Sequence, residues 1–71
     1  MLLEPHLRVI HEPARLRIMG VLVRERRVRL AELRRAFNLT DGNALAHVRR
    51  LEEAGFVATQ RRLAAGLEAH V

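Results

Sequence analysis

The run Leu39–Gly55, LTDGNALAHVRRLEEAG, restricts the fold more than any other stretch, because it marks where a helix begins, which side is buried and where it stops. Thr40 is a good N-cap, since its hydroxyl can accept a backbone N–H of the first turn. Asp41 follows where the helix dipole favours negative charge. Ala44, Leu45, Val48 and Leu51 recur at helical spacing and form one apolar stripe that must face a core. Gly42, Asn43, Ala46, His47 and Arg50 are expected on the other side, a face with an amide, an imidazole and a guanidinium. Gly55 ends the helix as its C-prime residue.

Upstream, Leu30–Phe37 (LAELRRAF) is a second amphipathic segment, with Leu30, Leu33 and Phe37 inward and Glu32, Arg34 and Arg35 exposed. Only Asn38–Thr40 separates it from the capped helix, and two helices joined this tightly read as a helix-turn-helix. The segments HEPARLRIMGVL and LAELRRAFNLTDGNALAHVRRLEEAGFV, with the basic stretch after them, resemble winged helix-turn-helix transcriptional regulators of the MarR and ArsR type. The resemblance covers roughly His11 to Arg62, and its most specific piece is LTDGNALAHVRRLEEAGFV, which runs from a capped helix into Gly-Phe-Val. It implies a fold that is mainly α with a small β wing: a three-helix core, a short strand and a C-terminal hairpin.

The chain in order fits that plan. The segment 1–12 holds Leu2, Leu3, Leu7, Val9 and Ile10, dense apolar character for a terminus, with a short helix expected from about Pro5 to Ile10. Such a segment either caps the core or docks on a second chain, and a subunit contact is the favoured expectation. Pro13 can start the next helix, in which Leu16, Ile18, Met19, Val21, Leu22 and Val23 make it apolar on nearly every side, as expected of a helix buried between two partners. Gly20 would allow close approach of a neighbouring helix. Val28–Leu30 looks like a small strand, which the resemblance pairs with the wing. Relatives commonly cap the following helix with Asp, Ser or Thr, whereas Arg29 stands here, so that helix start is less well fixed.

Phe56–Arg62 reads as a strand with Phe56 and Val57 entering the core. For Leu63–Val71 two readings stand. As a wing, Ala64–Gly66 is the turn and Leu67–Val71 returns along Val57–Arg61; as a helix, Leu63, Ala64, Leu67 and Val71 share a face. Gly66 and the family order favour the hairpin, so 56–71 is taken as the wing of a single domain spanning 1–71. Relatives often carry arginines at the wing tip and a dimerisation helix beyond it; their absence from this sequence weakens the expectation of minor-groove insertion.

Composition narrows the function. A chain of 71 residues buries only about 60% of the surface its unfolded form exposes, so a partner subunit would help it. All 13 basic residues are Arg, against 8 acidic residues, for a net charge of +5. That balance suits a polyanion, since each neutralised phosphate releases counterions, although a merely solvated basic surface has the same composition. With no cysteine, disulfides and thiolate metal sites are excluded. No apolar run approaches the ~18 residues of a membrane span, and no basic-then-apolar signal core precedes the domain, so a cytoplasmic location and no membrane partner are expected. Ser, Cys and Tyr are absent, Glu52 and Glu53 diverge as helix neighbours, and Gly42, Gly55 and Gly66 lack phosphate-loop spacing, so no enzyme is expected. His6 and His11 fall on different helix faces and no carboxylates complete a ligand set, so neither metal nor cofactor is expected.

Double-stranded DNA is the partner these residues suit, because reading it takes a phosphate footprint and a few side chains that reach base edges. For base contact the candidates are Asn43, His47 and Arg50: Asn matches the adenine edge, Arg matches guanine, and His gives or accepts one bond. For the backbone they are Arg34, Arg35, Arg49, Arg61 and Arg62, with Thr40 and the amides of Asp41 and Gly42 at a helix N-terminus. The resemblance implies a homodimer on a palindromic operator and transcriptional regulation, repression in the simplest form; no residue points to an effector ligand. A rival reading keeps the fold but makes it a protein-interaction module meeting an acidic partner.

Overall fold

The computed structural model describes residues 5–71, with side chains from residue 7 onward. Leu2 and Leu3 of the expected subunit contact, and the side chain of His6, lie outside the described residues. The elements run α1 (Pro5–Val9), α2 (Pro13–Glu25), β1 (Arg27–Arg29), α3 (Leu30–Ala36), α4 (Asp41–Glu53), β2 (Ala58–Arg62) and β3 (Gly66–His70). Among the described residues, no helix is long and apolar enough to cross a membrane.

Each helix end has a local cause. Glu12 caps α2, its carboxylate accepting the Arg15 amide at 3.0 Å, while Pro13 occupies the first turn, where its missing N–H costs nothing. Arg29 precedes α3 and cannot cap with its own side chain, because a guanidinium has no acceptor. Glu32 supplies half of a capping box instead, accepting the Arg29 amide at 3.3 Å. Thr40 caps α4 as its sequence position predicts, accepting the Asn43 amide at 3.1 Å. The turn between α3 and α4 is a Schellman motif in which Asn38, at φ +53°, takes the left-handed conformation. Leu39 N–H bonds Arg34 O at 2.9 Å and Asn38 N–H bonds Arg35 O at 3.4 Å. Gly55, at φ +85°, closes α4 the same way through Phe56 N–H to Leu51 O at 2.9 Å. Arg26 ends α2 at φ +75°, where a Cβ is strained.

Ile18 and Leu22 of α2, Leu33 of α3, and Ala44, Val48 and Leu51 of α4 are fully buried, and Val28, Val57, Leu67 and Ala69 close the core from the sheet side. Val9 and Ile10, in the described part of the N-terminal segment, pack against this core within one chain. Within one chain α2 is buried on one side only, through Ile18 and Leu22, while Leu16 is 56% and Val23 61% exposed. Gly20 lies on that open side, and among the described residues a Cβ there would meet nothing within 4 Å, so it serves no close approach to any of them.

The three strands form one antiparallel sheet in the order β1-β3-β2. The segment after Leu63 is therefore the returning strand of a hairpin, with Ala58 opposite His70 and Arg62 opposite Gly66, and it is also the central strand, pairing Val28 with Ala69. The pleat puts Val28, Ala69, Leu67, Thr59 and Arg61 on the helix side and Arg27, Glu68 and Arg62 on the other. Glu68 sits between two arginines there, 3.7 Å from Arg27 and 3.4 Å from Arg62.

Candidate nucleic-acid interface

Because α4 spends Ala44, Val48 and Leu51 on the core, its opposite arc is open: Gly42, Asn43, Ala46, Arg49, Arg50 and Glu53 are all exposed. The expectation that His47 shares this open arc is corrected. Its side chain is only 20% exposed and is turned toward the start of α2, with Nδ1 3.3 Å from Arg15 Nη1 and 3.7 Å from Glu12 Oε2. Asn43 and Arg50 flank it one turn to either side on the exposed arc.

The arginines divide into two groups that their sequence positions do not distinguish. Arg34 Nε lies 2.9 Å from Asp41, Arg49 donates to Glu52 at 2.8 Å, and Arg62 meets Glu68 at 3.4 Å. Arg35, Arg50 and Arg61 are exposed, and among the described residues they have no acidic partner. Arg61 and Arg62, adjacent in sequence, end on opposite faces of the wing, Arg61 on the α4 side. The paired arginines are still available to an anion, since an exposed pair holds by only about 0.2–1 kcal/mol. At the N-terminus of α4 the Thr40 hydroxyl is engaged by the Asn43 amide, and the carboxylate of Asp41 is turned onto Arg34.

Sequence reasoning missed the ties that hold α4 in place. Thr59 on β2 donates its hydroxyl to Glu52 Oε2 at 2.7 Å and accepts from Arg49 Nη1 at 3.2 Å, closing a triad that straps the wing to α4. The Thr59 hydroxyl and then Arg49 hold the Glu52 carboxyl below its ordinary 4.5. Glu12 is lowered likewise, first by the Arg15 amide and further by His47. A group whose folded pKa is depressed stabilises the fold above the unfolded value, and that contribution disappears as pH falls through the folded value. The stability gap between the wild type and Glu52→Gln is therefore expected to be open near neutrality and to close as acidification passes below the ordinary glutamate value of 4.5, read by thermal melts across pH. A gap independent of pH would count against the strap. The only sequence signal for Glu12 as a cap was its place directly before Pro13; nothing local marks Thr59 as a partner of residues on α4.

A helix-turn-helix whose second helix is exposed on one arc and flanked by a β-hairpin defines the winged helix class. A family model described as a winged helix DNA-binding domain matches residues 14–69, and the chain belongs to that family. Among solved structures it is similar to the transcriptional regulator homologue protein from Pyrococcus horikoshii OT3, with a TM-score of 0.84 and 29% sequence identity over 90% of this chain. The chain spans 66% of that protein's length. No curated protein matches it.

Proposed function

We propose that this chain is a sequence-specific double-stranded DNA-binding regulator of transcription, of the MarR/ArsR type. It acts in the cytoplasm as a homodimer, placing α4 in the major groove, and represses by occluding a promoter. The observation that carries this reading is the open arc of α4, where Asn43 and Arg50 stand exposed, together with Arg35 on α3 and Arg61 on the helix side of the wing, which are exposed and have no acidic partner among the described residues. Asn43 and Arg50 read base edges, and His47 contributes from the rim of the same helix. Arg35, Arg61, Arg34, Arg49 and Arg62, with Thr40 and the Gly42 amide, hold the phosphates, the paired arginines by exchanging a carboxylate for a phosphate. Two such helices in a dimer address half-sites roughly 34–36 Å apart, so a palindromic operator is expected.

The test is selection from a random duplex pool followed by variants on the selected site. Asn43→Ala and Arg50→Ala are each expected to lose about 1–3 kcal/mol of discrimination at one base position, while Arg35→Ala weakens all sequences alike. Equal losses on selected and random DNA from all three variants would overturn the division of roles.

A second reading, an interaction module on the same scaffold, draws on the exposed apolar side chains Leu16, Val23 and Leu63. It expects Leu16 and Val23, rather than the arc of α4, to be the positions where substitution abolishes association.

A further inference from the structure

The side of His47 that faces away from the solvent decides what its other side can offer. Arg15 is bonded three ways: its amide to Glu12 Oε2, its Nε to the carbonyl of Val9 and its Nη1 to His47 Nδ1. It thereby joins the end of α1 and the cap of α2 to the recognition helix. A guanidinium stays charged and every one of its nitrogens donates, so His47 Nδ1 can take part only through its lone pair. In neutral imidazole the single proton then resides on Nε2. No partner is found for Nε2 among the described residues, and among them no buried side-chain nitrogen or oxygen goes unpaired, so Nε2 reaches the solvent. It does so between Asn43, four residues before, and Arg50, three residues after.

Building on the DNA-reading assignment above, we infer that Arg15 and Glu12 are positioning residues for base selection. They fix His47 in the tautomer that presents an Nε2–H donor, so that this point of the interface accepts a base edge bearing an acceptor and rejects one bearing a donor. A free histidine offers either polarity and would tolerate both. The acceptors that fit are a purine N7, guanine O6 or thymine O4; the edges refused are the exocyclic amines of cytosine and adenine. Glu12 holds Arg15 by accepting its main-chain amide at 3.0 Å; its Oε2 stands 3.7 Å from His47 Nδ1, beyond hydrogen-bond distance, so the Arg15 Nη1 contact at 3.3 Å is the one that sets the tautomer. Neither residue touches DNA in this assignment; both act through His47.

Two measurements test it. In mildly alkaline buffer, where imidazole is neutral, the isotope-labelled ring nitrogens of His47 in the free wild-type protein are expected to show a bare Nδ1 and a protonated Nε2; a protonated Nδ1 overturns the inference. In duplex selection, Arg15→Met keeps the apolar stem and deletes the donor, and it is expected to relax preference roughly tenfold or less at one base position, about 1.4 kcal/mol per factor of ten. Arg15→Lys, which retains a donor, is expected to restore that preference. Preferences unchanged at every position in Arg15→Met, or a loss spread evenly over the site by a folded variant, overturn the role of Arg15 while leaving the DNA-reading assignment intact. A wild-type pool that converges on no sequence overturns both. If Arg15→Met does not fold, the ring-nitrogen measurement and the Arg15→Lys selection decide.

Discussion

Leu51→Ala is expected to cost about 2–5 kcal/mol and to lower the melting temperature by roughly 10–40 °C. Leu51 is fully buried and lies at the point of the core where α4 meets Ile18, Leu22 and Leu33. The loss combines the transfer of the deleted methyl groups with a cavity that rigid helix neighbours cannot close. Domains hold by about 0.05–0.15 kcal/mol per residue, so a chain this short has roughly 4–11 kcal/mol in all, and one core truncation removes a large share. Leu16→Ala serves as the internal control, because an exposed side chain away from any packing feature changes stability by about 0.5 kcal/mol or less. Thermal melts of the two variants check the contrast. If both shift alike, with Leu16→Ala strongly destabilised and its melting dependent on protein concentration, the exposed side of α2 is a subunit contact that carries stability of its own.

Raising salt from about 50 to 200 mM is expected to weaken binding of a selected duplex by on the order of 10². Arg35 and Arg61 are the phosphate-holding arginines that meet no acidic side chain among the described residues, and the proposed homodimer doubles them to about four phosphate partners, which gives that figure from counterion release. The slope therefore reports both stoichiometry and pairing. A monomer using the same residues would lose only about tenfold, whereas recruitment of Arg34, Arg49 and Arg62 away from Asp41, Glu52 and Glu68 would steepen the loss toward 10⁵. Titration by fluorescence anisotropy at several salt concentrations measures it. Affinity that is flat in salt removes the arginines from the interface and favours the protein-interaction reading.

What could be read from the residues and what could not follow a physical line. The Thr40 cap, the Gly55 stop and the inward row of Ala44, Val48 and Leu51 are local, set by neighbours within one helical turn, and they stand in the structure where the sequence puts them. The periodicity of Leu63–Val71 suits a strand or a helix alike; the decision comes from pairing with Arg27–Arg29, far upstream. Helical spacing alone puts His47 with Asn43 and Arg50, near their edge, but its partner Arg15 lies 32 residues away. Arg61 and Arg62 read as one basic pair, yet the pleat sends them to opposite faces, where Glu68 takes one. Periodicity finds the side of an element that is buried; it does not find which charged groups from other elements meet the side left open.

The central position of β3 has a consequence for the order of events during synthesis. As the nascent polypeptide leaves the ribosome, α2, α3 and α4 are all complete before the strand that β1 and β2 both require has been made. The helical nucleus is expected to form early from nearby contacts, and the zipping of the ribbon onto Val28 to come last, after the slowest loop closure in the molecule.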